Sequence, residues 1–141
     1  RDNVHTLPFG CTPAEVEHAV ARTGYSRFPV HDEAGIYMGY LHLKDALDVA
    51  PERTDQAFPW YKLRSLTVLT PTTEIDDALA TMQQNRSHLA QVVDTSGTLL
   101  GVVFMEDVIE ELVGEIRDTT QDSKRRKAGT SHSEGISQDE Q

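Results

Sequence analysis

Cysteine is nearly missing from this chain. Cys11 is the only one in 141 residues, which rules out an intrachain disulfide framework and a cysteine-based zinc site. Basic residues are scarce: 13 Lys and Arg against 23 Asp and Glu leave a net charge of −10. A general nucleic-acid surface is thereby excluded, because counterion release from phosphates needs a basic face, although a local basic site remains open. Long apolar runs are missing too. The longest, Leu99 to Met105, is broken by Gly101 and is far too short to cross a bilayer. None of the six histidines pairs with another His or Cys at metal-ligand spacing, so no metal site is expected. There is neither a Gly-rich phosphate loop nor a Ser or Cys nucleophile motif, and no enzyme activity is expected. No signal peptide is visible and the first residue is Arg1, so the chain reads as a soluble piece of a longer protein.

What is present is a repeat. Val30, Asp32, Gly35, Gly39 and Asp45 recur at one constant offset as Val92, Asp94, Gly97, Gly101 and Asp107. Apolar positions keep the register, with Leu41 matching Val103, Leu43 matching Met105 and Leu47 matching Ile109. Repeats of this length are supersecondary units stacked on their own copies. Two copies imply a pseudo-twofold module with two related clefts, which favours binding over catalysis.

Each copy is expected to run strand, helix, strand, strand, helix. In the first, Val4–Leu7 is a strand and Thr12 caps a helix with Pro13 at its first position and Glu15 completing a capping box. Val16, Ala19 and Val20 form that helix's apolar stripe, and Gly24 ends it. Strands at Phe28–His31 and Ile36–Leu41 flank a turn at 32–35, and a helix covers Leu43–Val49. In the second copy the strands are Leu66–Leu69, Leu89–Val93 and Leu99–Phe104, with helices at Glu74–Gln84 and Met105–Glu115. The expected division is repeat 1 over residues 1–50, a linker over 51–62, repeat 2 over 63–117, and a disordered tail over 118–141 that lacks periodicity and aromatics. Phe58, Trp60 and Tyr61 in the linker are expected to dock on the body, or, where exposed, to form a partner surface. The run Lys124–Lys127 is either a solvated patch or a weak contact for anionic lipid.

Each copy closes with a strand, a short turn and a helix carrying Asp in its first turn: Gly39 to Asp45, and Gly101 to Asp107. Either Asp complements the positive end of its own helix, or it accepts hydrogen bonds from a ribose beside an anion-attracting helix start.

These passages resemble the closing motif of CBS domains, and the tandem copy resembles a CBS pair, or Bateman module. The phrases Gly24 to Val30, Leu43-Lys44-Asp45, Arg86 to Ala90, and Glu106 to Ile116 resemble the CBS pair of the CorC/HlyC-type and cyclin-M-type membrane proteins, linked to magnesium and cobalt transport. The resemblance covers about residues 1–118, with Arg1 falling at the end of that family's Met-x-Pro-Arg motif. It implies an α+β fold of two β-α-β-β-α repeats packed sheet to sheet with pseudo-twofold symmetry. It also implies an adenine nucleotide (ATP, ADP or AMP), with or without magnesium, between the copies. Asp107 would hold the ribose, Tyr25 would lie near the base and Arg27 would reach the phosphates. Asp45, Arg86 and His88 would form the second cleft.

The family's Thr or Ser at the motif's fourth position is His42 in the first copy and Phe104 in the second. Phenylalanine can neither cap a helix nor donate to a ligand; it either fills the adenosine pocket or stacks on the base. His42 can donate to phosphate when protonated. The expected function is regulatory: a nucleotide-sensing homodimer, on the cytosolic face of a membrane, acting on an upstream transmembrane domain that handles divalent cations. The alternative is a ligand-independent dimerisation module whose clefts Phe104 blocks. A regulatory fragment of a soluble nucleotide-biosynthesis enzyme fits the fold but not the Arg-Ser-His and Glu-Asp-Val-Ile-Glu-Glu phrases. No flavin and no nucleic acid are expected.

Overall fold

A computed structural model describes residues 4–130, with side-chain surroundings through residue 118. Its first half contains β1 (Leu7–Pro8), α1 (Pro13–Thr23), β2 (Arg27–His31), β3 (Tyr37–His42) and α2 (Leu43–Leu47). Two 3-10 turns, Pro51–Arg53 and Trp60–Lys62, lead to the second half. There β4 (Thr67–Leu69), α3 (Ile75–Gln84), β5 (Leu89–Val93), β6 (Leu99–Phe104) and α4 (Met105–Thr130) repeat the order. Each half is a three-stranded sheet with one parallel and one antiparallel pairing, β1-β2-β3 and β4-β5-β6.

The repeat is physical as well as textual. Leu7 pairs with Val30 as Leu69 pairs with Val92, and each sheet bulges at the same place, after Val30 and after Val92. In the turns, Asp32 Oδ1 accepts from the N–H groups of Ala34 and Ile36, and Asp94 Oδ1 from those of Ser96 and Thr98, all at 2.9 Å. Gly35 and Gly97 supply the positive φ, 84° and 88°, that these turns require. The last helix of each half is tied back identically: Leu43 N–H donates to the Ser26 carbonyl at 2.8 Å, and Met105 N–H to the His88 carbonyl at 2.9 Å.

Helix α1 begins as its sequence dictates. The Thr12 hydroxyl accepts from Glu15 N–H at 3.2 Å and Glu15 Oε1 accepts from Thr12 N–H at 3.0 Å, while Gly24 closes the helix at φ 78°. Strand alternation builds three cores from two sheets. Phe28, Val30 and Leu41 face α1 and α2 over one core with Val16, Ala19 and Phe58, and Leu69, Ala78, Met82, Ala90 and Val108 form its counterpart. Between the halves, Tyr40 of β3 meets Leu89 and Val102 of the second sheet, with Val4, Leu66 and Phe104 packed around them. Because Tyr40 and Leu41 are adjacent on β3, they point to opposite faces, and both are fully buried.

Four expectations change. The first strand is Leu7–Pro8 rather than Val4–Leu7, because Val4 serves the central core instead of pairing. Helix α2 stops at Leu47, two residues short of Val49. In the linker only Phe58 docks; Trp60 and Tyr61 are about two-thirds exposed and meet edge to face at 5.8 Å. Helix α4 does not end at Glu115. Its backbone stays helical through Thr130, so residues 118–130, expected to be tail, extend a helix that no proline interrupts. The remainder of that tail, 131–141, lies outside the described residues. Among the described residues no helix is long and apolar enough to cross a membrane.

Candidate functional site

The first-copy junction centres on His42, the residue before α2. Its Nδ1 accepts from Lys44 N–H at 2.9 Å, while its own N–H donates to Asp45 Oδ2 at 2.9 Å, a reciprocal cap with imidazole where a hydroxyl usually stands. That acceptor role requires Nδ1 to be unprotonated. Burial, reinforced by Arg27, Arg64 and His88, pushes the His42 imidazole below its ordinary value against the upward pull of Asp45.

Asp45 is fully engaged. Arg64 Nη2 donates to Oδ1 at 2.6 Å and Arg64 Nε to Oδ2 at 2.9 Å. Burial pushes the Asp45 carboxyl up, but the Arg64 hydrogen bonds and the His42 N–H outweigh it and hold the group below the usual carboxylate range. Arg64 itself is delivered by backbone: its N–H donates to the Tyr40 carbonyl at 2.8 Å and its carbonyl accepts from Tyr40 N–H at 3.1 Å. The carboxylate expected in the second cleft is therefore held by an arginine, with both oxygens used.

The second-copy junction is built differently. Asp107 is the third residue of α4, the place that Asp45 takes in α2. Phe104 precedes the helix and packs half-buried on Tyr40, Leu89 and Val102, so its ring belongs in part to the central core. Arg27, the first residue of β2, reaches across the halves to Glu106, with Nη1 3.3 Å from Oε2. This contact sets a guanidinium from repeat 1 beside the start of α4. Tyr25, two residues earlier, leans half-buried on the first core.

Arg27 and His42 are cross-strand partners in β2 and β3, so one arginine borders both junctions. His88 precedes β5, and its N–H donates to the Tyr40 hydroxyl at 3.1 Å. Arg86 stands at the end of α3, exposed, in the left-handed region at φ 54°. Arg27, His42 and Asp45 are thus linked around the first junction, His88 is tied to Tyr40 beside it, and Asp107 follows Glu106, the residue that Arg27 reaches.

Arg64, Glu106 and Tyr40 escaped the sequence reading. Position 64 maps onto Asp2 in the repeat register, so a search for matched residues passes over it. Tyr40 looks like one more apolar strand residue until its hydroxyl is seen to span the repeats. Away from the junctions, a cavity of about 410 Å³ opens between α2 and the linker, lined by Asp48, Val49, Phe58, Pro59 and Tyr61 among others. Burial pushes the Cys11 thiol up to about 11, with Glu15 adding to the shift, so at neutral pH it is not a nucleophile.

Comparison with known proteins agrees with this geometry. The CBS domain family model matches twice, over residues 1–52 and 63–114. An uncharacterized protein of Mycobacterium tuberculosis strain H37Rv, Rv1841c, is 42% identical over 117 residues, covering 83% of this chain and 34% of that protein. The magnesium and cobalt efflux protein CorC of Buchnera aphidicola is 34% identical over 107 residues, covering 75% of this chain and 37% of CorC. The chain spans about a third of the length of these relatives. Among solved structures, the CBS domain of a bacterial CNNM/CorC family Mg2+ transporter in complex with ATP superposes with a TM-score of 0.70 at 26% identity, covering 79% of this chain and 80% of that one.

Proposed function

From a chain that belongs to the CBS domain family, as a tandem pair related to those of CNNM/CorC proteins, we propose a regulatory module that binds an adenine nucleotide at the start of α4. The observation that carries this reading is the Arg27–Glu106 contact, which brings a phosphate-gripping guanidinium from one repeat to the helix start of the other. Asp107 holds the ribose hydroxyls, Arg27 exchanges Glu106 for phosphate, and Tyr25 and the outer side of Phe104 border the base. A related CBS domain solved with ATP supports this choice of ligand. In the Asp45 cleft, Arg64 already holds the carboxylate that would take a ribose, which favours the Asp107 side. Binding regulates by favouring one of two arrangements of the module, and the parent is a membrane protein that moves divalent cations.

The module works as a homodimer. Leu47 on α2 is 62% exposed, and Ile109, Val113 and Ile116 make an exposed apolar stripe along one face of α4. Leu47 and Ile109 are repeat equivalents, so a second copy can present the same face in return.

Calorimetric titration with ATP, ADP and AMP, with and without magnesium, tests the site. Saturable binding that Asp107→Ala abolishes is the expected result. Absence of heat and of any Tm shift at millimolar nucleotide favours the ligand-independent dimer, a reading that the lodging of Phe104 in the central core keeps in play.

A further inference from the structure

The surroundings of His42 carry a consequence for how the cleft responds to pH. Groups on four elements act on the ring's charge: its cross-strand partner Arg27 on β2, Asp45 on α2, which accepts the His42 N–H, Arg64 before β4 and His88 before β5. Two of the four are arginines, and the one carboxylate already shares both its oxygens with Arg64. Glu106 is drawn onto Arg27 and offsets part of its charge. In a chain of net charge −10, two arginines thus stand together at the seam between the repeats. Without an anion, burial first and then the basic neighbours push the imidazole down, and its Nδ1 is committed as an acceptor to Lys44 N–H. A polyphosphate entering beside Arg27 offsets that positive field and raises the imidazole's affinity for a proton.

We infer that polyphosphate binding in this cleft takes up a proton at His42, so that nucleotide affinity rises as the pH falls. The proton converts Nδ1 from acceptor to donor. His42 then releases Lys44 N–H and gives up its cap on α2, while the ring gains a donor for phosphate oxygen. Nucleotide occupancy at α4 is thereby felt at the start of α2, in the other repeat. Linkage sets the sign: a group that binds its proton more tightly in the complex makes the complex stronger at lower pH, by at most about tenfold per pH step for one proton.

This inference rests on the nucleotide reading above, and one experiment separates the two. Magnesium-ATP is titrated into the whole chain at pH 6.5 in two buffers of different ionisation enthalpy, and the affinity is followed from pH 7.5 to 6. The same series is run on His42→Asn, whose side chain keeps a helix cap but does not titrate. The expected result is binding with up to one proton taken up per nucleotide and a several-fold gain in affinity toward pH 6. In His42→Asn both signals vanish, and the weaker binding left to Arg27 and Asp107 no longer changes between pH 7.5 and 6. No binding by the unaltered chain overturns the nucleotide reading itself. Binding without proton uptake, or uptake that survives in His42→Asn, overturns the assignment to His42 alone.

Discussion

Arg64 closes on Asp45 through two hydrogen bonds, at 2.6 and 2.9 Å, and so joins the segment that opens the second repeat to the helix that ends the first. Both partners are partly exposed, Arg64 at 40% and Asp45 at 17%, so solvent screens the pair and its worth is well below that of a buried ion pair. Replacing Arg64 with Met removes both bonds and leaves Asp45 with only the His42 N–H. A loss of about 1 kcal/mol in urea unfolding is expected.

The same pair makes stability acid-dependent. The folded Asp45 carboxyl lies below its ordinary value of 3.8, so its contribution is present above that pH and fades as the pH falls through the folded value. Unfolding midpoints compared between pH 6 and pH 3 will show a steeper decline for the unaltered chain than for Arg64→Met. Equal slopes would remove Asp45 from the account.

Gly39 lies where the backbone of residues 63–64 crosses β3. A Cβ there would stand 2.7 Å from the Arg64 carbonyl oxygen and 3.0 Å from Leu63 Cβ. Neither neighbour is the free end of a flexible side chain, so Gly39→Ala must push the crossing segment away and weaken its two bonds to Tyr40. A destabilisation of about 1–3 kcal/mol is expected, comparable to other overpacked sites. Thermal unfolding measures it, and a Tm equal to that of the unaltered chain would refute the close approach.

Arg86 occupies the place that Gly24 holds in the first repeat, and both residues are in the left-handed region, at φ 54° and 78°. Ser87 N–H donates to the Met82 carbonyl and Arg86 N–H to the Gln83 carbonyl, at 2.8 and 3.1 Å, the bonding of a helix end that ordinarily takes glycine. Arg86→Gly relieves the strain but loosens the unfolded chain, for a net gain of about 0.5 kcal/mol. Gly24→Ala shifts stability the opposite way by about 1 kcal/mol. A pair of melting curves checks both signs.

The fold was legible because its determinants are local and written twice. Asp32 and Asp94 shape turns through hydrogen bonds within five residues, Thr12 and Glu15 cap their own helix, and the alternation of β3 and β6 assigns each side chain to a face. Boundaries were less legible where packing overrides pattern. Val4 left its strand for the central core, and Trp60 and Tyr61 stayed outside although their composition suits burial.

By itself the sequence determined the repeat, the order of elements, and the two aspartates at equivalent helix starts, all properties of short chain segments. Only the tertiary structure decided that these starts are unlike. Asp45 lies against an arginine nineteen residues away, and Arg27 crosses seventy-nine residues to Glu106. The repeat pattern shows where the copies agree, but charge pairing between them depends on positions where they differ. Those positions meet only after the two sheets have closed on Tyr40.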